Sequence, residues 1–537
     1  MSRRPAARSL AARLARLAWA VPPSARALVA LLAASATPSF AQQSPPTPRD
    51  PVAALYAEHC AVCHGDTLRG GAQGTPLVGV ALRHGSGVED IAASTSRGFA
   101  DRGMPAWSAT LRPQQIHALA LFVAEQRAGT SLADFRYAAP LRIPEGPRHS
   151  ERHDFRLVTI AEGLDPLPYA LAALPDGRFL VTEKMRGLKL VSADGRQAQL
   201  VRGTPPAYAD ARPFGGQAMG VGWLLDVALH PDYPTNGWIY LSHGDRCLAC
   251  NAASRQSGQP VSMNRLVRGR LRGGEWVDQQ TIWEAGVDEY TAMFEIAAGG
   301  RIAFDGRGHL FFSIGMKGPT EIADFQDLAR PAGKILRLHD DGRIPRDNPF
   351  VGQGGARPEI WSYGHRSPQG LEVDPATGRP WGTEMGPRGG DELNLLKPGR
   401  NYGWPLVSNG VNYDGTALDN ARRLGIAFDP ADLEPPVLDL TPSPAVSSFA
   451  FYRGADFPRW NGHLIVGTLR ASDLYRIELR DGAVAGIETL LQDLARIRDV
   501  AIGPAGQLYL LVEHDTGGRI IRLVPMSPPA PGRAAAR

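Results

Sequence analysis

No stretch of this sequence reaches the roughly 20 consecutive apolar residues that a membrane-spanning helix requires, so no span is expected. Acidic residues are missing altogether from residues 1–41. That segment carries Arg3, Arg4, Arg8, Arg13, Arg16 and Arg26, a short apolar run from Ala27 to Ala34, and small residues around Ser39-Phe40-Ala41. A basic front, a short apolar middle and a cleavage site of small residues make a secretory signal peptide over 1–41, so the mature chain is expected in the periplasm or otherwise exported. Arg3-Arg4 points towards twin-arginine export, but the residues that usually follow that pair are absent. An excess of basic charge is lacking once the signal is gone. The formal net charge is +4 for the whole chain and falls to about −2 without its first 41 residues. Nucleic acid and anionic membrane surfaces are therefore not expected as partners. About 495 residues remain, more than one ordinary core accommodates, and at least two domains are expected.

Cysteine is scarce as well: the 4 in the chain form two C-x-x-C pairs. Cys247 and Cys250 are followed by Asn251, and in an exported chain the plain reading is a local disulfide. Cys60-Ala61-Val62-Cys63 is followed by His64, which changes the chemistry. Two thiols at that spacing can add to the vinyl groups of a haem while the imidazole sits beneath the iron. Gly103-Met104-Pro105 follows, and the Met104 thioether is expected to close the other face of the iron. His84 and His117 are its rivals, each read as a solvated histidine. Pro51 to His59 reads as a short helix with Val52, Leu55 and Tyr56 on one side. Ile116, Leu119, Ala120 and Val123 mark a longer one, entered at Leu111-Arg112-Pro113, with glycine-rich loop sequence between the two. Residues 45–132 resemble the class I cytochrome c family, through Cys60, Cys63, His64 and Met104. The resemblance implies a small all-α domain holding haem c between two permanent axial ligands. Such a haem carries electrons and does no chemistry on a substrate.

Pro140, Pro144, Gly146 and Pro147 mark a linker over 133–154. Beyond it long helical periodicity is absent, and one unit recurs: an apolar strand, a turn ending in glycine, a second apolar strand. It runs from Ala170 to Val181 through Gly177, from Val227 to Leu241 through Gly237, and from Ile302 to Phe312 through Gly308. It returns from Leu371 to Thr383 through Gly378, from Phe449 to Val466 through Gly462, and from Val500 to Leu511 through Gly506. Six such hairpins argue for an all-β six-bladed β-propeller over 155–528, in which ring closure protects the strand edges. Phe155–Val158 and Ile520–Leu523 are expected to complete one blade from both ends of the chain. A pair of stacked β-sandwiches is the rival. Residues 529–537, rich in Pro, Ala and Arg, read as a disordered tail.

From about 160 to 525 the sequence resembles the soluble quinoprotein aldose sugar dehydrogenases, also called glucose/sorbosone dehydrogenases. The matching segments are Leu224–Pro231, Gly333–Leu338, Asp341–Pro345, Tyr363–Gly370, Glu384–Glu392 and Asn401–Pro405. The resemblance implies pyrroloquinoline quinone and calcium, with the quinone's three carboxylates matched by basic side chains on the propeller's wide face. Arg496-Ile497-Arg498-Asp499 looks like the family's R-x-R-D pair, and Arg470 falls where the family has a basic residue near the same site. The chain departs from the family at three points. The general-base histidine of the H-x-x-G-R segment is Ala297, the glutamine of the G-Q-x-x-L-L-D element is Val221, and the G-D-x-G-R-N element reads Gly315-Met316-Lys317-Gly318-Pro319-Thr320. Glu295 is the weak substitute for the base and Lys317 for a lost cation, against the plainer reading of both as solvated loop residues.

Two functions stand against each other. In the first, an exported oxidoreductase oxidises an aldose or related alcohol through bound quinone and calcium. It passes the electrons to its own haem and on to an acceptor of the respiratory chain, the fusion raising the effective concentration of haem at the quinone. In the second, the propeller is non-catalytic or retasked for binding, beside an electron carrier. A third, a lactone- or phytate-type hydrolase, would use Glu183, Glu384 and Glu513 at corresponding strand ends.

Overall fold

Asp50 opens the first helix, α1 (Pro51–His59): its Oδ1 accepts the Val52 amide at 2.9 Å, and Pro51 stands where no donor is required. The structure is a computed structural model. It describes residues 50–130, 137–209, 212–214, 217–317 and 322–526. The expected signal peptide and tail, Gly318-Pro319-Thr320 and the start of the linker lie outside the described residues.

A helix that the sequence pattern hides, α2 (Val88–Arg97), occupies part of the interval read as loop. Only Ile91 in it is buried, and the rest is largely polar, so no apolar stripe announces it. It packs on α3 (Pro113–Ala128), and α3 crosses α1 where Tyr56 meets Phe122 at 5.4 Å between ring centroids. Val52, Tyr56, Ile91, Ile116, Leu119, Phe122 and Val123 form the core of this small domain. α3 is buried on a second side too. Leu121 (0% exposed) and Glu125 (2%) turn to the larger domain, not to this core.

The larger domain is built from six four-stranded antiparallel sheets. Their first strands are Pro168–Ala173, Leu224–Leu229, Gly299–Phe304, Pro368–Val373, Val446–Phe451 and Arg496–Ile502, the strands that open the six hairpins. Each touches the next, and the ring closes between the last and the first. The outermost strand of the sixth blade comes from the beginning of the domain: Phe155–Leu164 pairs with Gly518–Pro525, Leu157 opposite Leu523. This is a six-bladed propeller whose closing blade is completed from both ends of the domain, and the stacked-sandwich alternative falls.

Arg301 pins the centre of the ring. Its guanidinium lies 2.9 Å from Asp499 and 3.3 Å from Asp226, and it donates to the carbonyls of Gln369 and Arg498. Asp499 in turn accepts the Leu171 amide, and Asp226 the Ile302 amide. Five blades are thereby tied together by one buried charge network, in which the second oxygen of each carboxylate accepts a backbone N–H. Cys247 and Cys250 are joined in a disulfide, their Cα atoms 5.9 Å apart.

First strands start, and second strands end, on the same side of every blade. That face carries Lys184, Trp223, Glu295, Lys317, Arg366, Glu384, Arg470, Arg496, Arg498 and Glu513, each within a few residues of such an end.

Candidate functional site

Cys60 and Cys63 are free thiols, both half-buried, flanking the start of a single helical turn, Ala61–His64. The turn leaves Val62 79% exposed. His64 is held by a carbonyl: its Nδ1–H donates to Thr75 at 2.8 Å, which leaves Nε2 as the ring nitrogen available to a metal. The loop that supplies Thr75 wraps tightly round the thiols. A Cβ on Gly71 or Gly74 would come within 2.5 or 2.6 Å of the Cys63 carbonyl, so both positions demand glycine. Met104 is fixed by two backbone hydrogen bonds with Phe99 across a turn closed by Gly103 in the left-handed region. The rival histidines have partners of their own: His84 stacks on Phe99 at 4.6 Å, and His117 lies 3.5 Å from Glu89. Two free thiols, an oriented imidazole and a glycine cradle fit covalently attached haem.

On the propeller face, Glu513 is buried at the end of the sixth blade's second strand, and three cations converge on it. Lys184 Nζ donates at 2.7 Å, Arg498 Nε at 2.8 Å and Arg496 Nε at 3.0 Å. Arg498 also reaches the Gln369 side chain at 3.1 Å. Arg496 and Arg498 are thus buried, not surface ion pairs. Three cations gathered at one buried carboxylate make a site that suits a further anion. Burial first, and then Arg498, lower the Lys184 pKa to about 7. Trp223 lies beneath that ammonium, 5.4 Å from ring centroid to Nζ, and its buried indole N–H has no partner among the described residues. Arg470 sits within electrostatic reach of Arg496. An excess of buried cations and an unmet donor fit a compact polycarboxylate. Any anion bound here is held best while Lys184 is protonated. Its affinity should therefore fall as pH rises through about 7, by at most about tenfold per pH unit, which titrating the quinone-free protein between about pH 6 and about pH 8.5 would measure.

Glu295 and Lys317 are not solvated loop residues. Both side chains are wholly enclosed and pair with each other, Nζ to Oε1 at 3.2 Å. The same Oε1 accepts the Gly222 amide at 2.9 Å and the Ser262 hydroxyl, while Lys317 also donates to the Met293 carbonyl. A Cβ on Gly244 would strike that oxygen at 2.3 Å. The other oxygen, Oε2, has no partner among the described residues. Ala297 lies half-buried at the end of the helical turn Glu295–Ala297, so the pair sits directly beside the position where a histidine is missing.

Three glutamates at corresponding strand ends do not converge. Glu183 pairs with Lys189, Glu384 with His365, and Glu513 with its three cations. Among the described residues no group of three His, Cys, Asp or Glu side chains is placed to hold a metal ion. The hydrolase reading therefore lacks its carboxylate cluster.

A cytochrome-type domain joined to a six-bladed propeller points to an oxidoreductase. Residues 166–522 match the Glucose / Sorbosone dehydrogenase family, and the chain belongs to it. Residues 48–123 match the family described as Cytochrome C oxidase, cbb3-type, subunit III, and a domain of this kind implies haem. The chain is 37% identical to the aldose sugar dehydrogenase YliI of Escherichia coli over 352 residues, 65% of this chain and 88% of that protein. It is 26% identical to quinoprotein glucose dehydrogenase B of Acinetobacter calcoaceticus, over 66% of this chain and 84% of that one. Among solved structures, the apo-form of the soluble E. coli aldose sugar dehydrogenase superposes with a TM-score of 0.57 at 32% identity, covering 69% of this chain and 100% of that one. The PQQ-bound aldose sugar dehydrogenase of Streptomyces coelicolor gives 0.50 at 26%, covering 72% and 100%. No helix among the described residues is long and apolar enough to cross a membrane.

Proposed function

We propose that this chain is an exported, periplasmic enzyme that oxidises an aldose or related alcohol with pyrroloquinoline quinone and calcium. Its electrons pass through its own haem c to a downstream respiratory acceptor. The observation that carries the reading is the excess of positive charge around Glu513, on the same propeller face against which the cytochrome domain rests. When bound, the quinone supplies a two-electron acceptor for the sugar's anomeric carbon, and the haem a one-electron carrier.

The chain's own residues divide the remaining work. Lys184, Arg496 and Arg498 hold carboxylates, and Arg470 adds charge from the neighbouring blade. Cys60 and Cys63 would anchor the porphyrin, and His64 and Met104 would hold its iron. Glu295 is the proposed substitute for the missing histidine as proton acceptor, and its enclosed Oε2 would have to open to the face when substrate binds. Glu295→Gln is expected to lower turnover about 100-fold or more with quinone affinity retained, measured as aldose-driven dye reduction. Unchanged turnover would remove Glu295 from that role. A retasked, non-catalytic propeller is the second reading, and Ala297 is the observation that favours it. It requires that no aldose or alcohol reduce the dye when quinone and calcium are supplied.

A further inference from the structure

One arginine joins the two domains. Arg388 lies in the loop after the fourth blade's second strand and is 0% exposed. Its guanidinium makes two bonds to Glu125 near the end of α3, at 2.9 and 2.7 Å, and two to Asp50 at the start of α1, at 2.8 and 3.0 Å. All three groups are largely out of water, so each depends on the others for its charge. Burial pushes the Glu125 pKa up, while Arg388 and then Arg470 pull against it. Arg470 is within electrostatic reach of both Glu125 and Arg496.

The apolar part of the contact is narrow. A Cβ on Gly389 would lie 3.4 Å from Leu121, and one on Gly415 would lie 2.4 Å from Val52 and 3.2 Å from Ala118. Beside it a cleft of about 740 Å³ opens between the domains, lined by Pro51, Leu55, Gln115, Asp414 and Arg423 among others. Apolar packing therefore covers only part of the seam, and the paired charges fix its geometry. The Val62 edge of the thiol–imidazole turn is meanwhile left open to solvent.

We propose that Arg388 is the positioning residue that latches the haem domain, through Glu125 and Asp50, onto the cofactor face of the propeller. With quinone and haem c bound, this contact would hold ring and haem domain in one fixed geometry, and the exposed edge at Val62 would stay free for the outgoing transfer. The inference rests on the quinone reading for its electron-transfer part only.

The test uses the full-length holoprotein and compares Arg388→Ala, the double variant Asp50→Asn/Glu125→Gln, and the swap Arg388→Glu/Glu125→Arg. Without substrate, small-angle scattering should show an enlarged particle for the first two, and protease cleavage in the linker should accelerate about tenfold or more. The swap should restore both in part, since it leaves the new carboxylate at position 388 facing Asp50 while the new guanidinium at 125 pairs with it. With quinone, calcium and an aldose, haem reduction should slow about tenfold or more in the first two, while reduction of a small soluble dye stays within about twofold. Unchanged scattering and cleavage in both would overturn the latch, and so would a released domain whose haem is reduced as fast as before. If no protein reduces the dye, the quinone reading has failed. The latch then stands or falls on scattering and proteolysis alone.

Discussion

A chain carrying Cys60→Ser and Cys63→Ser should fold its propeller, bind no haem covalently and lose substrate-driven haem reduction completely. The thioether bonds have no other source, because the only other cysteines, Cys247 and Cys250, are consumed in a disulfide. Haem staining after denaturing electrophoresis reads the attachment, and a small dye reads the propeller. Dye reduction should persist at close to its original rate, since the cation cluster around Glu513 and the Glu295–Lys317 pair belong wholly to the ring. Loss of dye reduction in a folded variant would mean that the ring cannot act without its haem.

The second large effect concerns Arg498. Replacing it by Met removes a charge-assisted bond to Glu513 and the contact with Gln369. The charge-assisted bond that Arg498 would make to a quinone carboxylate is worth about 1.5–3 kcal/mol, so quinone affinity should fall about 10- to 100-fold. Arg498→Lys should recover only part of it, because an ammonium cannot serve Glu513 and Gln369 in the guanidinium's two fixed directions. Removing Arg496 as well leaves Glu513 with Lys184 as its one remaining cation of the three, and the double variant should lose stability along with affinity. Fluorescence titration of the quinone-free protein measures the affinities, and urea unfolding separates them from a folding defect. Undiminished affinity in Arg498→Met would place the quinone elsewhere.

What could be read in the sequence follows from what is local. The haem motif is five consecutive residues. Each propeller hairpin is a strand–turn–strand unit whose apolar alternation and turn glycine lie within about 20 positions. The closing blade was legible as well, because Phe155–Val158 and Ile520–Leu523 are apolar segments at the two ends of the repeat. α2 was not, since one buried residue makes no stripe. The pairing of Glu295 with Lys317 was hidden because two turns of different strands bring them together, and neither neighbourhood announces burial. Leu121 and Glu125 fell outside the apolar stripe of α3 because the surface that buries them belongs to another domain. Arg388 lies in a segment whose one sequence signal is a family resemblance. Its role depends on Asp50 and Glu125, more than 250 positions away.

The most direct test is rapid mixing of the holoprotein, loaded with quinone and calcium in the absence of oxygen, with an aldose. The account predicts that the absorption band of reduced haem appears at a rate independent of protein concentration, as transfer within one polypeptide must be. Contradiction would come from a protein with its haem firmly attached that shows no affinity for the quinone, or from a quinone-loaded ring that turns over sugar while its own haem stays oxidised.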